Sequence, residues 1–424
     1  MNRFYLFDSH LRNKVEFAPE FENEARIYVC GPTVYDDAHL GHARSAISFD
    51  LLRRVLTAIG YKVTFARNIT DIDDKILNKM AQTGKSLEEI ASFYAERYRE
   101  DLSALGIPNP SIEPKATEHI PQMIDLVDRL LKRGAAYQTP NGDIYFEVAK
   151  YPQYGSLSGE TQEDTQTRVA TEQKRGDRDF ALWKAAKEGV GYDSPFGRGR
   201  PGWHLECSAM AQTHLFRQGA QYACDIHGGG SDLFFPHHEN EATQTKCGYD
   251  NALAKYWMHN GFVRIDGRKM SKSLNNSFFV KDALSLFQGE ALRFYLMSAH
   301  YRAGLNYNYG DLNASKKRLD RIYRLKKRVD IAFGKPERAF EEELIAAMCD
   351  DLNISKALAA IDEMIAQSND ALDKSPKDKA AKAAFGGNLK LIDDLLGVGG
   401  RDPYEWFQWG VSDEDKKEIE RLIV

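Results

Sequence analysis

The sequence predicts an α/β protein on a parallel, doubly wound sheet, with an inserted connective region and a helical end. Three observations carry this. First, Arg26–Val34 (R-I-Y-V-C-G-P-T-V) reads as a short buried strand ending at Gly31-Pro32, and a helix follows from near His42 to Gly60. In that helix Ile47, Leu51, Leu52, Val55, Leu56 and Ile59 recur at helical spacing, Gly60 suits a C-cap, and Tyr61–Ile69 reads as a second strand. Together these make a β-α-β unit, which favours a parallel sheet. Second, strand-and-helix alternation resumes at Trp203–Arg217, Cys224–Gly230 and His237–Cys247. Third, everything after about Asn313 is helical in pattern, with a polar break near Asp373–Lys382.

Two helical stretches, Leu87–Leu105 and His119–Arg133, separate the first unit from a region of short strands and polar turns at Tyr137–Arg200. That texture marks an insertion between the halves of the sheet. The expected division is 1–120 for the first half, 121–200 for the insertion, 201–256 for the second half, 257–312 for a following region, and 313–424 for a helical bundle. At 424 residues the chain is too long for one core. It is 42% hydrophobic and 28% charged, holds no run of about 18 apolar residues, and lacks the apolar core of a signal peptide over Met1–Lys14. A cytoplasmic protein without a membrane span is the expectation. Five cysteines at 30, 207, 224, 247 and 349 form no C-x-x-C pair and suggest reduced thiols, some of them metal ligands. A net charge of −5 exerts no global pull on nucleic acid, so any RNA contact must be a local patch.

Chemistry concentrates in three places. His39-Leu40-Gly41-His42 sits where the first strand hands over to its helix. Backbone N–H groups at a helix N-terminus attract phosphate, two imidazoles can donate hydrogen bonds to a triphosphate, and Gly41 lets a flat ring approach the backbone. Taken alone, H-x-G-H reads as a pair of surface histidines. Lys269-Met270-Ser271-Lys272-Ser273 follows the expected strand Gly261–Ile265 and offers two point charges for a pyrophosphate leaving group, the plain alternative being a solvated basic turn. Cys30 ends the first strand, Cys207 opens a helix in G-W-H-L-E-C-S-A-M, and His237 and Glu241 are four apart on a helix begun by Pro236. Two thiolates, an imidazole and a carboxylate make a candidate zinc set. His238 points about 100° away from its neighbour and reads as a hydrogen-bonded structural histidine.

The motif pair H-L-G-H and K-M-S-K-S, about 230 residues apart, resembles the signature of class I aminoacyl-tRNA synthetases, whose catalytic core is a Rossmann-type sheet. With C-G-P-T-V-Y-D, R-N-I-T-D-I-D-D-K, G-W-H-L-E-C-S-A-M and H-G-G-G-S-D-L-F-F-P-H-H-E-N-E, the chain resembles the cysteinyl-tRNA synthetase family over roughly residues 1–420. The resemblance implies that Cys30, Cys207, His237 and Glu241 bind one zinc, which takes the substrate thiolate. It implies that His39, Gly41, His42, Lys269 and Lys272 serve ATP with its Mg²⁺, and that His227–Asp232, with Gly229, Gly230 and Asp232, hold the adenylate. Thr70, Trp203 and His227 would border the cysteine pocket, and tRNA(Cys) would be the acceptor for a monomeric enzyme. Zinc chemistry agrees: an apolar pocket separates serine from cysteine weakly, whereas a zinc–thiolate bond separates them strongly.

Two departures stand out. Asn275 occupies the place where the family carries a glycine after K-M-S-K-S. The chain given stops at Val424 within an expected helix, Asp413–Val424, where the family continues into a small anticodon-binding domain, so that domain is expected to be absent here. Ser315–Asp330 carries eight Lys or Arg against two Asp, with Leu319, Ile322, Tyr323 and Val329 as its apolar face. Its outer stripe suits phosphate, or is simply a solvated face. Two rival functions are a same-fold ligase joining cysteine to an amino-sugar and a non-catalytic tRNA- or cysteine-binding paralogue. All four phosphate-binding histidines and lysines are present, which disfavours the second.

Overall fold

The computed structural model describes residues 2–159, 173–265, 268–269, 278–329, 334–412 and 415. A small antiparallel hairpin, β1 (Tyr5–Asp8) and β2 (Asn13–Glu16), precedes β3 (Glu24–Val29), α1 (Leu40–Ala58) and β4 (Lys62–Arg67). β3 and β4 pair in parallel, from Glu24 opposite Lys62 to Val29 opposite Arg67. The first strand ends at Val29, short of Val34, because the chain turns sharply past the exit of β4. A Cβ on Gly31 would lie 1.6 Å from the Asn68 carbonyl oxygen. α1 starts at Leu40, earlier than its apolar periodicity suggests, because the His39 side chain caps it.

Next come α2 (Asp74–Thr83), α3 (Leu87–Ala104) and α4 (Ile120–Lys132). α2 is an addition to the elements the sequence predicts; its apolar side is short, made by Ile76, Leu77 and Met80, and of these Ile76 alone is buried. The insertion is an antiparallel sheet of β5 (Ala136–Gln138), β6 (Ile144–Phe146), β7 (Phe180–Ala185) and β8 (Gly199–Pro201), packed around Phe146, Phe180, Leu182 and Trp183. The chain then returns to the parallel sheet through α5 (Trp203–Leu215), β9 (Tyr222–Gly230), α6 (Glu239–Gly248) and β10 (Ala252–Asn260). Strand order is β10-β9-β3-β4, all parallel. The order reverses between β3 and β9, and in such sheets ligands bind in the crevice beyond the strands' carboxyl ends. Cys30, Gly230 and Asn260 stand at those ends.

Beyond the sheet, β11 (Val263–Ile265) pairs antiparallel with β12 (Arg268–Lys269), placing the Lys269 backbone opposite Arg264. Residues 270–277, Lys272 among them, lie outside the described residues. α7 (Val280–Leu286), α8 (Gly289–Met297) and β13 (Leu305–Tyr307) follow, β13 pairing in parallel with β11. The rest is helical: α9 (Tyr309–Val329), α10 (Arg338–Cys349), α11 (Ile354–Lys374), α12 (Lys379–Leu396) and α13 (Pro403–Phe407). The helix expected at Asp413–Val424 falls outside the described residues except for Asp415. Among the described residues no helix is long and apolar enough to cross a membrane.

α9 buries Leu319, Ile322, Tyr323 and Val329 as its periodicity requires, but its basic stripe is narrower than the sequence suggests. Lys316 pairs with Asp320 at 3.0 Å, Arg318 with Asp362 at 2.6 Å and Arg328 with Asp373 at 2.5 Å, while Lys326 donates to the Gly399 and Arg401 carbonyls, each at 2.7 Å. Acids on α11 and loop carbonyls after α12 lie alongside, which no linear pattern reveals. Lys317, Arg324 and Lys327 remain exposed, and Arg321, also exposed, shares Asp362 with Arg318 at 3.1 Å.

Candidate active site

Four chain segments meet beneath the switch point. Cys30 leaves β3, Cys207 lies in the second turn of α5, His237 sits in an irregular turn, Phe234–His238, and Glu241 lies in the first turn of α6. Pro236 belongs to that turn, and regular helix begins at Glu239, later than expected; His237 and Glu241 still share a face. Cys30 Sγ is 3.5 Å from Cys207 Sγ and 3.5 Å from Glu241 Oε1, Cys207 Sγ is 3.8 Å from His237 Nε2, and His237 Nε2 is 2.5 Å from Glu241 Oε1. Ligands on a tetrahedral zinc lie about 3.3–3.8 Å apart, so three of these four spacings already match and the His–Glu contact would open slightly. Cys207, His237 and Glu241 are buried, and Cys30 is half-buried.

The electrostatics fit a cation-binding cluster. Burial alone would depress His237, but the Glu241 carboxylate and Cys207 more than offset it and raise it to about 10. Burial opposes ionisation of Glu241, yet His237 and His227 hold it well below the usual carboxylate range. Burial and the neighbouring Cys207 push the Cys30 thiol well up. Burial would raise Cys207 as well, but hydrogen bonding from Cys30 and the contact with His237 hold it below its ordinary value. A bound divalent ion would replace these shared protons.

Two neighbours, Asn68 and His204, escaped the sequence reading. Asn68 Oδ1 accepts the Gly31 N–H at 2.9 Å and lies 3.7 Å from Cys207 Sγ, joining both cysteine segments. His204 Nδ1 lies 2.9 Å from His237 Nδ1, which turns the His237 Nε2 toward the cluster. His204 shares the G-W-H-L-E-C motif with Cys207, a signal that could have found it. His227 is buried, 2.7 Å from Glu241 Oε2 and 3.7 Å from Cys30 Sγ. With His238 it completes a second possible set, Cys30, His227, His238 and Glu241. His238 Nδ1 is engaged at 2.8 Å by His259 Nε2, while its buried Nε2 has no hydrogen-bond partner among the described residues. Two sulfurs make the first set the softer and the better match to zinc.

A cavity of about 490 Å³ opens above this cluster. Cys30, His39, Gly41, His42, Gly230, Asp232 and Trp203 line it. The Trp203 ring stacks on His237, with centroids 4.1 Å apart and planes at 21°. Gly229 is buried behind the lining. Thr70 is buried too, and its hydroxyl donates to Glu206 at 3.0 Å.

His39 and His42 are arranged differently from the simple picture of open helix N–H groups. His39 Nδ1 accepts from the Gly41 and His42 N–H at 3.1 and 3.4 Å, and His42 Nδ1 accepts from the His39 N–H at 3.2 Å. The helix terminus is thus capped by its own imidazoles, whose rings stack with centroids 3.7 Å apart. Because each Nδ1 accepts, the proton of each neutral ring resides on Nε2, the atom that can donate to a phosphate. Gly41 has a local reason as well: a Cβ there would lie 2.9 Å from the His39 ring.

The chain matches the family described as tRNA synthetases class I (C) catalytic domain over residues 16–317, and a DALR domain over 343–398. It is 57% identical to the cysteine–tRNA ligase of a Nitratiruptor species over 422 residues, covering 99% of this chain and 91% of that one. Against the cysteine–tRNA ligase of Helicobacter pylori (strain ATCC 700392 / 26695) it is 53% identical, again covering 99% and 91%. Among solved structures, Mycobacterium tuberculosis methionyl-tRNA synthetase in complex with methionyl-adenylate superposes with a TM-score of 0.67 at 14% identity, covering 94% of this chain and 96% of that one, a likeness of fold alone. With the sheet, the motif pair and the sulfur-rich cluster in place, these relationships make the chain a member of the cysteine–tRNA ligase family of class I tRNA synthetases.

Proposed function

We propose that the chain activates L-cysteine with ATP and transfers it to the 3′ end of tRNA(Cys). The cysteine carboxylate attacks the α-phosphorus, pyrophosphate leaves, and a hydroxyl of the terminal ribose then attacks the acyl carbon and releases AMP. The observation that carries this reading is one cavity lined by paired imidazoles and by Cys30, behind which lie the remaining sulfur, nitrogen and carboxylate of the cluster, Cys207, His237 and Glu241.

In this reading the Nε2–H groups of His39 and His42 donate to the phosphates as charge shifts in the transition state. Lys269 and Lys272 supply charge for the departing pyrophosphate, whose Mg²⁺ arrives with ATP. Gly41, Gly229, Gly230 and Asp232 frame the adenylate. Thr70, Trp203 and His227 shape the cysteine end, with Trp203 in direct contact with the cavity and the other two acting from behind it. Cys30, Cys207, His237 and Glu241 would hold zinc. When bound, zinc supplies a Lewis-acidic seat for the substrate sulfur as thiolate, which a serine hydroxyl fills poorly. The exposed cations of α9 meet the tRNA backbone. Domain limits at 120, 200, 256 and 312 remain our division of the chain, supported by the change of sheet at β5 and the helical run from Tyr309.

The deciding experiment is charging with total tRNA and labelled cysteine, run beside an amino-sugar acceptor and beside serine. Cysteine attached to tRNA alone is the expected outcome. Transfer to the amino-sugar, or equal use of serine, would overturn the reading.

A further inference from the structure

Asp37 precedes the His39 cap by two residues and is 8% exposed. A carboxylate so buried needs partners, and it has two from distant parts of the chain. Lys281 Nζ lies 2.6 Å from its Oδ2, and Arg97 Nε of α3 lies 2.5 Å from its Oδ1. Burial would raise the Asp37 carboxyl, but Lys281 and Arg97 more than offset it and hold it below the ordinary range.

Lys281 is the second residue of α7, a short way along the chain from Ser273, where K-M-S-K-S ends. The chain leading into α7 runs antiparallel to the approach to α1, with His39 opposite Phe279. The Leu40 N–H donates to the Phe278 carbonyl at 3.2 Å, and the Val280 N–H donates to the Ala38 carbonyl at 2.8 Å. Two backbone bonds and one buried-carboxylate pair therefore fasten the entry to α7 onto the segment that caps α1.

We propose that Asp37 and Lys281 are positioning residues for cysteine activation. Neither is placed against substrate. The pair, with its two backbone bonds, fixes the chain entering α7 against the segment that carries His39 and so holds the imidazoles of His39 and His42 in place on the cavity wall. An exposed ion pair alone contributes little to stability. Its effect here is on placement, because a displacement of about 1 Å in a reacting assembly can lower a rate by as much as about 10². The inference rests on the cysteine-activation reading above.

The test is cysteine-dependent ATP–pyrophosphate exchange with the full chain, measured for wild type, Lys281→Met, Lys281→Arg, Asp37→Asn and the Asp37→Asn/Lys281→Met double variant. Lys281 is 41% exposed along its side chain, so its replacement leaves the fold intact, which near-ultraviolet circular dichroism checks. Lys281→Met should lower kcat about tenfold while the KM for cysteine stays within about twofold, a split expected of lost positioning and not of lost substrate contact. Lys281→Arg should recover most of the loss, and the double variant should be no slower than Asp37→Asn alone, since the two residues act as one unit. Wild-type kcat in Lys281→Met, or no recovery in Lys281→Arg, would overturn the positioning role while leaving the activation reading standing. Absence of exchange in the wild type would overturn both.

Discussion

Asp50, midway along α1, is a residue whose replacement should cost the molecule heavily. Its carboxylate, 1% exposed, accepts from Arg53 at 2.8 Å, Arg54 at 2.8 Å and Arg293 of α8 at 2.7 Å. Arg53 and Arg54 are partly exposed and keep carbonyl acceptors at Asn109 and Asp393, at 3.1 and 3.0 Å, so each is left with other partners when the carboxylate goes. Arg293 is different, being wholly buried with its Nε donating to the Leu396 carbonyl at 2.8 Å. Asp50→Asn strands that charge, and breaking a buried pair on one side costs about 3–5 kcal/mol. Such a loss is a large part of the roughly 5–15 kcal/mol that holds a folded domain together. Urea unfolding of wild type, Asp50→Asn, Arg293→Met and the double variant measures it. The double variant should cost at least about 2 kcal/mol less than the two singles summed, because it removes both partners together. Burial would raise the Asp50 carboxyl, but Arg293, Arg54 and Arg53 more than offset it and hold it below the ordinary range. A depressed folded value means the stabilisation is fully present above the unfolded pKa of about 4 and is lost as pH falls through the folded one. The gap between wild type and Asp50→Asn should therefore stay flat from about pH 8 to 5 and close only in stronger acid. A loss under about 1 kcal/mol at neutral pH, or additive singles, would refute the account of Arg293 as a dependent charge.

Metal analysis of the purified chain should find about one zinc, and Cys207→Ser should lose it along with cysteine-dependent exchange; an active, metal-free chain would contradict the ligand set. Lys272→Ala should slow pyrophosphate exchange by about 10²–10³ while cysteine binding, followed by calorimetry, is little changed. Replacing Lys317 and Arg324 of α9 by Gln should leave exchange unaltered, raise the KM for tRNA, and flatten its log–log salt dependence by about 1 per cation removed. An unchanged salt slope would show that this face does not meet phosphate.

Much of the fold was legible because its signals are local. The β3–α1–β4 unit announced itself by apolar residues at helical spacing between two apolar runs, and the C-terminal helices by a helical pattern whose polar break near Asp373–Lys382 falls between α11 and α12. His237 and Glu241 could be paired from spacing alone, since residues four apart share a helical face. α2 escaped the sequence reading because its apolar side, Ile76, Leu77 and Met80, spans little more than one turn.

What the linear pattern could not contain is which distant segments become neighbours. Cys30 and Cys207, 177 positions apart, meet at 3.5 Å because the strand order puts β9 beside β3 and lays α5 under their ends. The same packing sets Asn68 against Gly31 and Cys207, couples His204 to His237, and carries Lys281 to Asp37. It also decides how the cations of α9 are used, turning half of an apparently basic face inward to Asp320, Asp362, Asp373 and loop carbonyls. By itself, then, the amino-acid sequence determined the sheet, the helices and the residue types available for chemistry, since each depends on neighbours within a turn or a strand. Tertiary structure alone decided which of those side chains share a cavity and which charges remain for a partner, because these follow from contacts between segments far apart in the chain.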